Sequence, residues 1–355
     1  MAEKIIMKGN EALAEAAVGA GCRHFFGYPI TPQSEVAAYM AKRLPPLGGT
    51  YLQAESEIAA INMVLGASAA GVRAMTSSSS PGISLKAEGI SYLAGCDLPC
   101  LIVNVQRGGP GLGGIQPAQS DYWQATKSTG HGDFHMLVFA PATVQEMADL
   151  VADAFALGDK YRMPTMVLAD GMLGQMMEPV VLPEAVAQDL SPKPWAVDGH
   201  KNSRPRNVIN SLYLSPDELE QIVIKRYARY EELKKNEQRA EEFLTDDAEI
   251  ILVSYGATSR ITKSAITKAR AEGIKAGLVR PITLFPFPEA AIEKHIPQAN
   301  AFLCVEMSMG QMVDDLRLVV GRRKPVGFFG RTGGIIPTPD EVYAKIREIA
   351  GGGKG

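Results

Sequence analysis

The sequence predicts an α/β protein made of two parallel-sheet units. Short apolar runs alternate with helix-length segments from residue 8 to about 180. A proline-punctuated stretch without periodicity follows, and the alternation resumes at residue 249. Strands separated by helices of this length argue for parallel sheets covered on both faces. The expected boundaries are 1–180 for the first unit, 181–245 for a linker with a charged helix, and 246–355 for the second unit.

In the first unit residues 10–19 read as an Ala-rich helix and 24–28 (HFFGY) as a short buried strand. Residues 33–43 are amphipathic, 51–54 extended, and 56–70 helical with an apolar face. Strand 73–77, helix 85–94 and strand 100–105 come next, and helix 144–157 with strand 164–170 closes the unit. Over 178–214, Pro179, Pro183, Pro192, Pro194 and Pro205 interrupt every periodicity, as in a linker that wraps over a surface. Ser215 as N-cap, Pro216 at the first helical position and the acids Asp217 and Glu218 open a charged helix expected to reach Phe243. Its charge density suits a solvated or interdomain helix. The second unit offers strands at 249–255, 276–280, 301–306 and 325–329, with helices beginning near Thr258, Pro288 and Gln311 and after Pro339. Ligand crevices are expected at the carboxyl ends of the strands in both units.

Composition narrows the function. With 36 basic and 39 acidic residues the net charge is -3, which argues against broad attraction to nucleic acid or an anionic membrane. No run approaches the roughly 18 apolar residues of a membrane span, and MAEKIIMKGNEA has no signal-peptide core, so a cytoplasmic protein is expected. Cys22 and Cys304 are isolated, and Cys96 and Cys100 stand four positions apart. Without C-x-x-C there is neither zinc-ribbon nor cluster spacing, and the thiols read as buried hydrophobes. No metal site is assigned to this chain, so any redox metal must sit on another.

Several distinctive segments follow strands. In YPITP (28–32) two prolines fix a short loop and leave Thr31 as its polar group; the pattern fits a plain turn as well as a binding loop. Glu55 and Glu57 lie at the start of an otherwise apolar helix. One acid there complements the helix dipole, and a carboxylate so placed can also accept a hydrogen bond from a heterocyclic nitrogen. TSSSSPG (76–82) offers hydroxyls and free amides at a helix start, a generic ligand site. Gly109, Gly111 and Gly114 formally match G-x-G-x-x-G with Asp133 downstream. The strand is not the first of its unit, Pro110 stiffens the loop and Pro117 follows, so a loop that closes over a ligand is the better reading. Arg107 at its base suits bidentate binding of a carboxylate. His131 could pair with Asp133, although a structural histidine is the simpler reading. Asp170-Gly171 lacks the rest of a diphosphate motif and reads as a turn.

Taken in order, YPITP, ESEIAAI, TSSSSPGISL, QRGGPG and GHGD resemble the alpha subunit of the 2-oxoacid:ferredoxin oxidoreductases over nearly the whole chain. The branched-chain (3-methyl-2-oxobutanoate) group is the most similar, since 2-oxoglutarate enzymes usually show T-S-G-P-G-F where this chain has Ser78-Ser79-Ser80-Pro81-Gly82-Ile83. The resemblance implies a thiamine-enzyme pyrimidine-binding domain followed by a transketolase C-terminal-like α/β domain. It implies thiamine diphosphate shared with a beta subunit that binds the diphosphate, with Mg2+ and [4Fe-4S] clusters on partner chains. It further implies gamma and ferredoxin-like delta subunits in a dimer of hetero-oligomers, with ferredoxin, coenzyme A and a 2-oxoacid as reactants.

Glu57, and not Glu55, matches the family glutamate that hydrogen-bonds N1′ of the aminopyrimidine and so promotes loss of the thiazolium C2 proton. Tyr28 and Pro29 are assigned to the cofactor, and Thr31, Arg107, Ile30 and His131 to the substrate. Around the motif loops the bases are Arg107, Lys86, Lys127 and the histidines near 131, with Lys86 readable as a solvated helix residue. Ile30 offers an apolar wall, so 3-methyl-2-oxobutanoate and its homologues are expected over 2-oxoglutarate or pyruvate. A nucleotide-binding oxidoreductase and a non-catalytic scaffold are the readings from other classes.

Overall fold

The computed structural model describes residues 4–127, 129–186 and 193–351, so Pro192 lies outside the described residues. In chain order the strands are β1 (Ile5–Lys8), β2 (His24–Gly27), β3 (Thr50–Gln53), β4 (Ala74–Ser78), β5 (Cys100–Gln106), β6 (Leu137–Phe139) and β7 (Pro164–Asp170). They continue as β8 (Met177–Val180), β9 (Ala240–Phe243), β10 (Ile250–Val253), β11 (Ala276–Pro281), β12 (Thr283–Phe285), β13 (Ala301–Glu306) and β14 (Val326–Gly330). The first sheet runs β12-β6-β7-β5-β4-β2-β3 and is parallel except for β12. The second runs β14-β13-β10-β11-β9, parallel except for β9. The chain is thus α/β, as the alternation of strands and helices predicts.

Strands β4, β5 and β7 are buried along their whole length, which is why they read as apolar runs. Successive side chains point to opposite faces. Leu101, Val103 and Val105 join the core under helices Gly9–Gly19, Ser34–Arg43 and Val144–Tyr161. Ile102 and Cys100 join a second core under helices Glu57–Ala69 and Pro81–Gly95. That second core continues from Ile61 and Ile90 through Val138 and Met166 to Ile251, Phe302 and Leu316, so the two sheets share it.

The topology sets the site. From β2 the chain moves outward to β3, and from β4 it moves the opposite way to β5. The loops after β2 and β4 therefore diverge around a switch point at the carboxyl ends, where open α/β sheets bind ligands.

Four expectations need correction. The charged helix ends at Asn236, and Ala240–Phe243 is an antiparallel edge strand of the second sheet. Its residues have helical propensity, but Glu241 pairs with Lys263 and Arg280, and Glu242 with Lys294 and His295, so tertiary pairing overrides local preference. Pro179 stands in β8, paired with Ile6 of β1, because a two-stranded ribbon has an edge that needs no amide there. β12 is claimed by the first sheet although it lies within the second unit's sequence. Finally, the carboxyl ends of the second sheet are covered by the first unit. Gln119 donates to the Tyr255 carbonyl at 2.9 Å and accepts from Thr258 Oγ1 at 2.8 Å and from the Met307 amide at 2.9 Å. Glu306 of β13 turns its own carboxylate onto the amides of Gln311, Met312 and Val313, filling the helix terminus where an anion would otherwise dock. The crevice expected there is occupied by the chain itself.

The helix Pro216–Asn236 buries only a narrow stripe, including Arg226, Tyr230 and Leu233. Tyr230 packs edge-on against His135, which stacks on Phe285 at 4.1 Å. None of the described helices is long and apolar enough to cross a membrane.

Candidate active site

Glu57 opens the helix Glu57–Ala69, whose N-cap Ser56 accepts a hydrogen bond from the Ala59 amide at 3.1 Å. The helix points its start toward the switch point, and Glu57 is buried there (7 % exposed), whereas Glu55 is exposed. The Glu57 carboxylate accepts no hydrogen bond or ion pair from the described residues within contact range. It rests on Gly82 of the neighbouring helix Pro81–Gly95, where a Cβ would come within 2.9 Å of Oε1. Ser78 Oγ, aimed at the same glycine, is buried without a partner.

The loop after β2 is anchored from beneath. Gln33 is fully buried, donates to the Tyr28 carbonyl and accepts from Ser77 Oγ at 2.5 Å, tying this loop to β4. Asn10 Nδ2 holds the Pro32 carbonyl at 2.9 Å. The side chains of Tyr28, Pro29 and Thr31 are exposed and Ile30 is half-buried, so the loop presents these groups on a fixed backbone.

Arg107 is tied to both loops by main-chain contacts. Its guanidinium is buried, with Nη1 on the Thr31 carbonyl at 2.9 Å and Nη2 on the Leu112 carbonyl at 3.0 Å. Those two bonds use two of the five guanidinium donors, and Nε is buried without a hydrogen-bond partner. Ser80 locks Arg107 from below. Its hydroxyl bonds the Arg107 main chain and Asp121 Oδ2, and its amide donates to Asn104 Oδ1. These bonds hold Ser80 at φ 25°, a strained backbone for a residue with a side chain. Burial raises the Asp121 carboxyl above the usual range, against its bonds from Ser80 and Asn104.

Most hydroxyls of the serine run are therefore spent on the chain itself: Ser77 on Gln33, Ser79 on the Val105 carbonyl and Ser80 on Asp121. A generic anion site is not what they build. Lys86 is not a solvated residue either. It is fully buried, with Nζ 3.0 Å from Thr76 Oγ1 and 3.5 Å from the Glu57 carbonyl. Asp170 caps the helix Gly171–Gln175 through the Met172 and Leu173 amides, in keeping with a turn. His131 is not brought to this group. Its carbonyl is held by Ser91 Oγ, nine residues beyond Gly82 and so about 13 Å along the helix, and its side chain is exposed. The serine–asparagine–aspartate lock and Gln33 were not among the expected residues; isolated polar residues in Asn104-type positions carry no local signal, and only the buried strand around Asn104 hints at a structural partner.

The four cysteines are free thiols; burial pushes Cys22 up to about 12 and raises Cys100 and Cys304 as well, as for inert core residues.

A family model described as pyruvate flavodoxin/ferredoxin oxidoreductase, thiamine diphosphate-binding, matches residues 15–242. A second, described as pyruvate:ferredoxin oxidoreductase core domain II, matches residues 248–342. The chain belongs to the 2-oxoacid:ferredoxin oxidoreductase family. Ketoisovalerate oxidoreductase subunit VorB of Methanothermobacter thermautotrophicus is 50% identical over 346 residues, 98% of each chain. The 2-oxoglutarate synthase subunit KorA of Methanothermobacter marburgensis is 36% identical over 374 residues, 98% of this chain and 99% of that one. Among solved structures, the 2-oxoglutarate:ferredoxin oxidoreductase from Magnetococcus marinus, with 2-oxoglutarate, coenzyme A and succinyl-CoA bound, superposes with a TM-score of 0.87 at 29% identity. The match covers 98% of this chain and 65% of that longer one.

As a member of this enzyme family the chain carries its thiamine diphosphate-binding domain, and the residues present fit that group. Glu57 has a buried carboxylate with its acceptor oxygens uncommitted, Gly82 leaves space beside it, and the Tyr28 loop stands on a rigid base.

Proposed function

We propose that this chain is the alpha-type subunit of a branched-chain 2-oxoacid:ferredoxin oxidoreductase, converting 3-methyl-2-oxobutanoate and related oxoacids with coenzyme A to acyl-CoA, CO2 and reduced ferredoxin. The buried Glu57 carboxylate at the switch point, with no direct hydrogen bond to the described residues, carries this reading. When bound, thiamine diphosphate supplies the carbon nucleophile for the oxoacid carbonyl. Glu57 accepts the hydrogen bond of the pyrimidine ring nitrogen, and Tyr28 and Pro29 border that ring. Arg107 fixes the Thr31 and Leu112 segments, so that the Thr31 hydroxyl and Ile30 address the substrate from a preorganised loop. The diphosphate, its Mg2+ and the iron–sulfur clusters belong to partner chains in this reading, as beta, gamma and ferredoxin-like subunits of a dimeric assembly.

The greater identity to the ketoisovalerate subunit than to the 2-oxoglutarate subunit supports the substrate, 50% against 36%. A second carboxylate would need a further cation beside Arg107, and Lys86 is held on Thr76 beneath Glu57. Comparing kcat/KM for 3-methyl-2-oxobutanoate and 2-oxoglutarate in the assembled enzyme, with coenzyme A and ferredoxin, tests this. The branched substrate should win by at least about tenfold, the low end of what one methylene is worth in an apolar pocket. A preference for 2-oxoglutarate would overturn the substrate assignment and leave the role of Glu57 untouched.

A further inference from the structure

Lys86 has no task in the function proposed above, yet its placement is costly. It projects from the helix Pro81–Gly95 beneath the first turn of Glu57–Ala69, and none of it reaches solvent. A buried ammonium is unfavourable unless a countercharge compensates it. Its hydrogen-bond partners, Thr76 Oγ1 at 3.0 Å and the Glu57 carbonyl at 3.5 Å, are neutral. The start of the overlying helix is itself positive, which adds to the cost.

The surrounding elements leave one candidate for the countercharge. The overlying helix contributes Glu57 at its start. Strand β4 offers only the hydroxyls of Thr76, Ser77 and Ser78. The loop at 129–133 packs over Ala87 and Ser91, and its titratable groups, His131 and Asp133, are exposed. Burial pushes the Lys86 ammonium down to about 8, and the charge of Glu57 is the influence that holds it up.

We propose that Lys86 is a positioning residue for Glu57: its buried ammonium favours the ionised carboxylate, so that a proton shared between Glu57 and the cofactor ring nitrogen rests on the nitrogen. The inference depends on the reading that Glu57 faces the aminopyrimidine. The step it describes moves one proton from a carboxyl oxygen to a nitrogen within one hydrogen bond, with no change in total charge and no other bond made or broken.

Two measurements test it. In the full chain without cofactor, NMR of 13Cε-labelled lysine follows the Lys86 titration, assigned by its loss in Lys86→Gln or, should that variant not fold, in Lys86→Met. Glu57→Gln removes the countercharge and should move the Lys86 midpoint down; a midpoint that does not move overturns the proposal. In the assembled enzyme Lys86→Gln keeps an N–H donor for Thr76 and loses the charge. With its fold verified by circular dichroism, kcat at pH 7 should fall about tenfold, roughly 1.4 kcal/mol in activation free energy, with KM nearly unchanged. The alkaline limb of the wild-type kcat profile, expected near pH 8, should disappear. A folded Lys86→Gln enzyme with wild-type kcat and an intact alkaline limb refutes the role of Lys86. The reading of Glu57 itself stands or falls separately, on Glu57→Gln in the assembled enzyme.

Discussion

Arg107 Nη1 donates to the main-chain oxygen of Thr31 at 2.9 Å, while Nη2 of the same side chain holds the oxygen of Leu112 at 3.0 Å. One guanidinium thereby couples the proline loop after β2 to the glycine loop after β5, across the strand that lies between them. The family resemblance assigns Arg107 to the substrate carboxylate; two of its five N–H donors are spent on tying these loops together.

Arg107→Lys tests that function. An ammonium on a flexible stem cannot span both carbonyls in a fixed plane. In the assembled enzyme kcat/KM should fall about 100-fold, the usual cost of a misplacement near 1 Å. Wild-type kinetics in this variant would show that the two-loop tie is dispensable.

Glu57→Gln is nearly isosteric but cannot carry the negative charge that stabilises a protonated ring nitrogen. The rate of cofactor C2-proton exchange, followed by NMR in the assembled enzyme, should drop on the order of 100-fold or more. Glu55→Gln is the control: Glu55 is exposed, and its exchange rate should stay near wild type. Equal effects of the two substitutions would contradict the assignment.

Gly82→Ala separates helix stability from site geometry. Alanine ordinarily favours a helix by about 1 kcal/mol over glycine. Here its Cβ would sit 2.1 Å from Ser78 Oγ and 2.9 Å from Glu57 Oε1. Both side chains must move, so turnover should fall at least about tenfold while circular dichroism retains the helical signal. Full turnover would mean that Glu57 has freedom the packing does not suggest.

Asp170 makes stability depend on pH. Burial raises its carboxyl from 3.8 to about 6, against the opposing hydrogen bonds from the Leu173, Met172 and Ala257 amides. The folded chain thus holds this proton more tightly than the unfolded chain. Its contribution is fully present below pH 3.8 and is lost as the pH rises through about 6. Asp170→Asn keeps a capping oxygen and removes the titration, so the variant should gain up to about 3 kcal/mol relative to wild type between pH 4 and 7. Denaturant titrations across that range measure it; an unchanged slope with pH would remove Asp170 as its source.

The sequence by itself determined the alternation of buried strands and helices, because apolar runs and capping residues such as Ser56 and Ser215 act over a few neighbours. It also distinguished Glu57 from Glu55 through the motif, a distinction that burial of the one and exposure of the other agrees with. What required tertiary structure was every feature in which distant residues compete. Ala240–Phe243 became a strand because β11 offered an open edge, and Thr283–Phe285 joined the first sheet because β6 did. Arg107 joined two distant loops through their main-chain carbonyls, and Gln119 filled the mouth of the second sheet. Lys86 came to lie under Glu57 although 29 residues separate them. Hydrophobic periodicity reports which face of an element is buried; the partner of a buried polar group is set by which elements the sheet order brings side by side.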